Sequence, residues 1–291
     1  MKAVMVQGLH QQMVNRIIDL VKTHHLSLLL IILGFLTSCS NQSSISARYL
    51  TAEKLWTEKK YEASVVEFDR IVKENPGSAL GVQALWRASI TRALFLKDYQ
   101  EALRGLQSFI DLSAQKNLVL EAQKEIGEIF FNKTSQYQNA IDHYEKLIQS
   151  KKYPNDEGFF LYRISRSFVA IGKIKKAIAT EEMIISKYSN TELGIKTKLD
   201  LAQNWFTLGD IEKQAYVKSI ELYKQVSEET RTRDRKKYIE AQFGMAVVLE
   251  EMDRLDEAID IFRTIENEYT VPNVVKIRIQ KINERSKRKK I

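Results

Sequence analysis

Small and apolar residues recur along this chain with the spacing of one helix face. Six segments carry the pattern. The first is Tyr61-Glu62-Ala63-Ser64-Val65 with Phe68 and Ile71, reaching Pro76. The second is Tyr99-Gln100-Glu101-Ala102-Leu103 with Leu106 and Phe109. The third is Tyr137-Gln138-Asn139-Ala140-Ile141 with Tyr144 and Leu147. The fourth is Ile174-Lys175-Lys176-Ala177-Ile178 with Ile184, the fifth Lys218-Ser219-Ile220 with Tyr223 and Val226, and the sixth Leu255-Asp256-Glu257-Ala258-Ile259 with Phe262 and Ile265. In each, a small residue is followed four positions on by a larger one, usually apolar or aromatic, and three further by an apolar one, so all three share a face. A second helix can approach closely only where no long side chain stands, which assigns packing roles to Ser64, Ala102, Ala140, Ala177, Ser219 and Ala258. Their separations are 38, 38, 37, 42 and 39 residues.

A partner helix lies upstream of each segment. It reads Leu161, Ile164, Ser165 and Phe168 before Gly172 in the fourth, Leu201, Ala202 and Trp205 before Gly209-Asp210 in the fifth, and Met245, Ala246 and Leu249 before Asp253 in the sixth. The first offers Thr51-Ala52-Leu55. The third offers Ile126-Gly127 and Phe130, with one extra residue before Tyr137. The second, around Trp86 to Leu94, leaves the register of its first helix open. In the fifth, about five additional residues between Gly209 and Ser219 predict longer helices and a local change in curvature. The segments resemble the tetratricopeptide repeat over about residues 48–270, with spacings longer than that motif's period of about 34. The expected fold is all-α: a right-handed superhelical solenoid of about six helical hairpins over 48–271. Residues 272–291 should form a capping helix with a basic tail, its apolar side drawn from Val274, Val275, Ile277 or Ile279, and Ile282.

The first 40 residues break this pattern. A basic lead (Lys2, Arg16, Lys22) precedes the apolar run from Leu26 to Leu36 and then Thr37-Ser38-Cys39. The run is shorter than the roughly 20 residues a spanning helix needs, and the arrangement fits a secretory signal over residues 1–38, starting at Met1 or Met13. Leu36-Thr37-Ser38-Cys39 resembles the bacterial lipobox. That resemblance implies an acylated Cys39 as the first mature residue, with acyl chains anchoring a protein that has no spanning helix. Ser40, not Asp, follows the cysteine, which by the sorting rule of Gram-negative bacteria implies the periplasmic face of the outer membrane; an inner-membrane location stays open. Residues 39–47 form a flexible tether, and with no second cysteine, stability must come from packing.

Composition agrees with a helical body: 44% hydrophobic residues, 11 Gly and 3 Pro suit neither a disordered chain nor a sandwich. The net charge of +8 lies mainly at the ends, because Lys276 to Lys290 hold eight basic groups against Glu284. With no stacking aromatics interleaved along a basic groove, nucleic acid is not an expected partner. The basic tail suits an anionic partner, either lipid headgroups or an acidic segment. A second cluster, Arg231, Arg233, Arg235, Lys236 and Lys237, reads as a solvated loop.

Catalytic chemistry is not expected, and neither is a metal or cofactor. Of four histidines only His143 follows Cys39, on an outer face where it reads as solvated. There is no Gly-rich phosphate loop, nucleophile elbow or His-Glu-x-x-His, and the neighbouring acids Glu181-Glu182 and Glu250-Glu251 do not face a common substrate. Binding is the better expectation. In the repeat architecture the first helix of each hairpin lines the concave side. Its inward positions read as Tyr49 and Trp56 in repeat one, Lys124, Glu128 and Phe131 in repeat three, and Tyr162, Arg166 and Val169 in repeat four. Repeats five and six add Leu199, Gln203, Phe206, Phe243, Val247 and Glu250. Mixed aromatic and charged residues along a groove suit an extended or helical peptide.

Lipobox, short tether and repeats together resemble envelope lipoproteins with tetratricopeptide repeats, chiefly the lipoprotein component of the outer-membrane β-barrel assembly machine. Thr51-Ala52-Glu53-Lys54-Leu55-Trp56 and Lys60-Tyr61-Glu62-Ala63-Ser64-Val65 carry the likeness. It implies a periplasmic scaffold that binds other assembly components, in a family with five repeats where this chain has six. A second similarity is to the periplasmic repeat protein that coordinates cell-wall synthesis with constriction, whose N-terminal coiled coil is absent here. Two functions follow as expectations: a lipid-anchored scaffold for protein complexes, or a module recognising peptide or glycan for cell-wall or uptake machinery.

Overall fold

The computed structural model describes residues 44–289, with side chains through Arg288. The signal segment, Cys39 and the last two residues lie outside the described residues. Among the described residues the regular structure is helical throughout. Helix α1 covers 44–57, followed by α2 (Tyr61–Glu74), α3 (Ala79–Thr91), α4 (Tyr99–Leu112), α5 (Lys116–Glu128) and α6 (Tyr137–Ser150). Then come α7 (Glu157–Ala170), α8 (Ile174–Tyr188), α9 (Glu192–Leu208), α10 (Gln214–Thr230), α11 (Arg235–Glu251), α12 (Leu255–Ile265) and α13 (Pro272–Lys289). Six first helices alternate with six second helices, as the repeat pattern predicts. Helix α1 takes in residues 44–47, which the sequence assigns to the tether, because Ile45 has an apolar site to fill and is only 4% exposed.

The chain divides into two compact units, residues up to Ile126 and residues from Gly127 on. The first has a core of Ile45, Ala52, Val65, Phe68, Ile71, Ala84 and Ala88. The second is built from consecutive clusters, among them Ile195, Ala202, Tyr216, Tyr223 and Val226, and then Ala246, Ala258, Phe262, Ile265, Val275 and Ile282. Of the candidate capping positions on α13, Val275 and Ile282 are buried and Ile279 packs against the same cluster, whereas Val274 and Ile277 are exposed.

All six small residues of the pattern are fully buried. Their counterparts on the first helices, Ala52, Ser89, Gly127, Ser165, Ala202 and Ala246, are buried too. Where the small residue is serine, its hydroxyl satisfies a carbonyl of the facing helix: Ser64 Oγ donates to Ala52 O at 2.9 Å and Ser219 Oγ to Ala202 O at 2.7 Å. Gly127 is required by close approach, since a Cβ there would stand 2.2 Å from the buried Tyr144 ring.

The turn between the two helices of a hairpin has a fixed form. Lys59, Lys97, Ser135, Gly172 and Asp253, each two residues before a second helix, adopt φ between 53° and 73°. This left-handed residue closes the first helix. Repeat five replaces the form with the longer connection 209–213, and its helices α9 and α10 have 17 residues each against 14 for α7.

The open register of repeat two and the extra residue of repeat three have a structural cause. Their first helices end in π-helical turns, Arg92–Leu96 and Ile129–Lys133. A π turn holds one residue more than an α turn. The extra residue therefore bulges out locally, and the packing positions before and after it stay in phase.

Candidate functional site

The first helices carry the candidate groove, and all eight principal candidates (Tyr49, Trp56, Lys124, Phe131, Tyr162, Arg166, Phe206 and Phe243) are half-buried. In the first unit, Tyr49 meets Phe68 edge-on at 5.5 Å. Burial, and next the charge of Glu53, push its hydroxyl pKa up. Trp56 Nε1 donates to Thr91 Oγ1 at 3.1 Å, and the Arg87 guanidinium lies 4.5 Å over its ring. Arg87 in turn forks onto Glu53 at 2.6 and 2.7 Å. Lys124 pairs with Glu121 at 3.2 Å.

In the second unit, Phe131 packs edge-on against Tyr137, with Arg163 5.5 Å from its ring. Arg163 also reaches Glu128 at 2.6 Å. Tyr162 donates its hydroxyl to Asp200 at 2.9 Å, Arg166 reaches the other Asp200 oxygen at 3.2 Å, and the Lys196 ammonium sits 4.4 Å over the Tyr162 ring. Burial, reinforced by the Asp200 charge, drives the Tyr162 hydroxyl far above its ordinary pKa. Phe206 leans on Tyr216, and Phe243 stacks on Tyr269 at 4.3 Å. Val169, Val247 and Glu250 are half-buried and Gln203 is exposed, but Leu199 is a core residue at 8% exposure, because α9 turns it toward Tyr216 and Tyr223.

A feature missed by residue-by-residue reading links these positions. Successive first helices are tied by arginine–carboxylate pairs: Glu53–Arg87, Glu128–Arg163, Asp200–Arg166 and Glu250–Arg278, the last reaching α13. The first and third span 34 residues, about one helical turn short of the repeat spacing, and opposite charges at that spacing on first helices are the sequence signal. These pairs are half-buried, so they orient the face more than they stabilise it.

Glu181 departs from the repeat pattern. In five repeats the position four after the small residue holds Phe68, Leu106, Tyr144, Tyr223 or Phe262; in the fourth it holds Glu181, with no exposure. Its place in the repeat pattern, rather than its neighbour Glu182, is what marks it for burial. Its carboxylate accepts from Ser165 Oγ at 2.9 Å and from Asn204 Nδ2 at 2.9 Å on both oxygens. Burial raises its pKa to about 7 against the opposing pull of those hydrogen bonds. His143, expected in solvent, is half-buried and meets Phe130 and Tyr144 edge-on at 6.2 and 5.6 Å.

Among the described residues no group of three or more His, Cys, Asp or Glu could hold a metal ion, and no helix is long and apolar enough to cross a membrane. Open clefts border these helices. One of about 740 Å³ is bordered by Arg235, Lys236, Ile239, Glu240, Phe243 and Tyr269.

The tetratricopeptide repeat family model matches residues 240–270, which span most of α11 and all of α12. No curated protein sequence matches the chain. Among solved structures, a tetratricopeptide repeat protein from Parabacteroides merdae superposes with a TM-score of 0.55 at 12% identity, covering 85% of this chain and 89% of that one. PilW, a type IV pilus biogenesis factor, gives 0.50 at 10% identity over 82% and 97% of the two chains. Yeast Tom70 gives 0.50 at 12% identity, over 79% of this chain and 44% of its own. The protein therefore has the tetratricopeptide-repeat fold, and its sixth repeat is also recognisable from sequence.

Proposed function

We propose that this protein is a lipid-anchored scaffold of the bacterial envelope that binds protein segments along the faces of its first helices. The observation that carries the reading is the recurring set of half-buried aromatic and charged side chains on those helices, held in place by inter-repeat ion pairs. Such a face is pre-oriented before a partner arrives, which lowers the ordering cost of binding. Cys39 supplies the anchor in this reading, and the periplasmic face of the outer membrane is the location implied by Ser40. Outer-membrane protein assembly is the process to which the opening-repeat resemblance points.

A photo-crosslinking residue at exposed Gln203 tests the groove, with one at Glu221, on the second helix of the same repeat, as control. A discrete adduct from Gln203 alone supports the scaffold, and equal adducts from both positions would remove it. Replacing Cys39 by Ser should abolish the lipid mass. Peptide or glycan recognition is favoured at one place, the cleft beside the Phe243–Tyr269 stack, where paired aromatic rings border a hollow.

A further inference from the structure

Several cations of the second unit already have an acid in reach. The basic cluster read as a loop runs on into the first turn of α11, and in it Arg233 pairs with Glu229 at 3.7 Å, Arg235 with Glu268, and Lys237 with Asp234 at 3.3 Å and Glu192 at 3.5 Å. Helix α13 differs. Arg278 and Arg285 fasten it to repeat six through Glu250 at 2.6 Å and Asp253 at 2.8 Å, and Val275 and Ile282 are buried beneath it. Its other described cations, Lys276, Lys281, Lys287 and Arg288, are exposed and form no ion pair among the described residues. From Pro272 onward the sequence has eight Lys and Arg against the single acid Glu284.

Their placement matters as much as their number. At 100° per residue, Lys276 and Lys287 fall on one flank of the outward face and Lys281 and Arg288 on the other, with Ile277, Gln280 and the lone acid Glu284 between. Ile277 is 52% exposed and Val274 39%. Four outward cations spread over about 18 Å of helix around exposed Ile277, with Val274 beside Lys281, suit a broad anionic plane with an apolar layer beneath. A narrow acidic strand would meet one flank only.

We propose that α13 docks this protein on an anionic lipid bilayer, with the four cations at the headgroups and Ile277 and Val274 entering shallowly. The proposal needs neither acylation of Cys39 nor the groove of the scaffold reading.

The test is flotation of the full chain carrying Cys39→Ser on phosphatidylcholine vesicles with and without phosphatidylglycerol. Each variant keeps the same N-terminal segment, so that contribution cancels. The chain should favour the anionic vesicles and lose that preference in high salt. Reversing Lys276, Lys281, Lys287 and Arg288 together to Glu should abolish that preference, each cation removed singly should weaken association about fivefold at low salt, and Ile277→Asp should weaken it further. Reversing Arg231 and Lys236 to Glu is the matched control and should leave binding unchanged. Circular dichroism checks folding, and a Lys→Gln series serves if the reversed helix is unstable. Equal binding of reversed and natural helices, an equal effect of the loop reversal, or tighter binding to polyglutamate than to anionic vesicles would overturn the proposal.

Discussion

Glu181 shows what one side chain does inside a packed repeat. Its carboxyl has the raised folded-state pKa of about 7, caused first by burial, whereas in the unfolded chain it reverts to its ordinary value near 4.5. Between those values the folded state holds a proton that the unfolded chain has released. The associated stability is full below about pH 4.5 and is lost as pH rises through 7. The size of the effect is about 3 kcal/mol. Glu181→Gln keeps an acceptor for Ser165 and Asn204 and removes the titration. Its urea midpoint should change much less between pH 5 and 8 than that of the natural protein, and parallel pH profiles would show that Glu181 is not the group responsible. Gly127→Ala tests the opposite constraint, lack of room. Because Tyr144 has no exposure and a Cβ would overlap its ring, the substitution should cost about 1–3 kcal/mol, read as a lower thermal midpoint.

At the scale of the helix and its turn, the π turns explain why some of the repeat was hard to read. Helices α4, α6, α8 and α12 begin at Tyr99, Tyr137, Ile174 and Leu255, the residues that open the sequence pattern. Repeat two resisted because an inserted residue changes the helical phase, and composition does not distinguish a π turn from an α turn. One consequence is specific. Deleting Leu94, which is 50% exposed within the π turn Arg92–Leu96, should let that turn relax to α geometry with both flanks in register. Deleting Ile164 from the middle of α7 shifts every later contact of that helix and should unfold repeat four. Far-ultraviolet circular dichroism on heating distinguishes the two, and equal damage would mean that the bulge has a packing role of its own. The left-handed turn residue allows a second test. Lys97 has φ 57°, a conformation that costs an L-residue about 1–2 kcal/mol. Lys97→Gly should therefore raise the thermal midpoint slightly, after part of the gain is offset by the freer unfolded chain. The groove was legible only as positions. Periodicity shows which residues face out of the first helices, but Arg166 and Asp200 become a pair only when two repeats stack.

For the molecule as a whole, the question is how far a disturbance travels. In the second unit the principal contacts of each helix are with the helices just before and after it. Stability in such an array is a sum of repeat terms and nearest-neighbour terms, so damage should fade within a repeat or so. Removing α13 by ending the chain after Val271 takes Val275 and Ile282 from the cluster of Phe262 and Ile265 and frees Glu250 from Arg278. Hydrogen exchange should then speed up in α11 and α12 and stay unchanged in α7 and α8. The same pattern bears on function, because a ligand held by Tyr162, Arg166 and Phe206 would then be indifferent to the state of the C-terminal helix. Membrane docking through α13 and partner binding through the groove would be independent events on one chain. A uniform rise in exchange across the second unit would show instead that it opens as a single cooperative body, and docking at one end would then alter binding at the other.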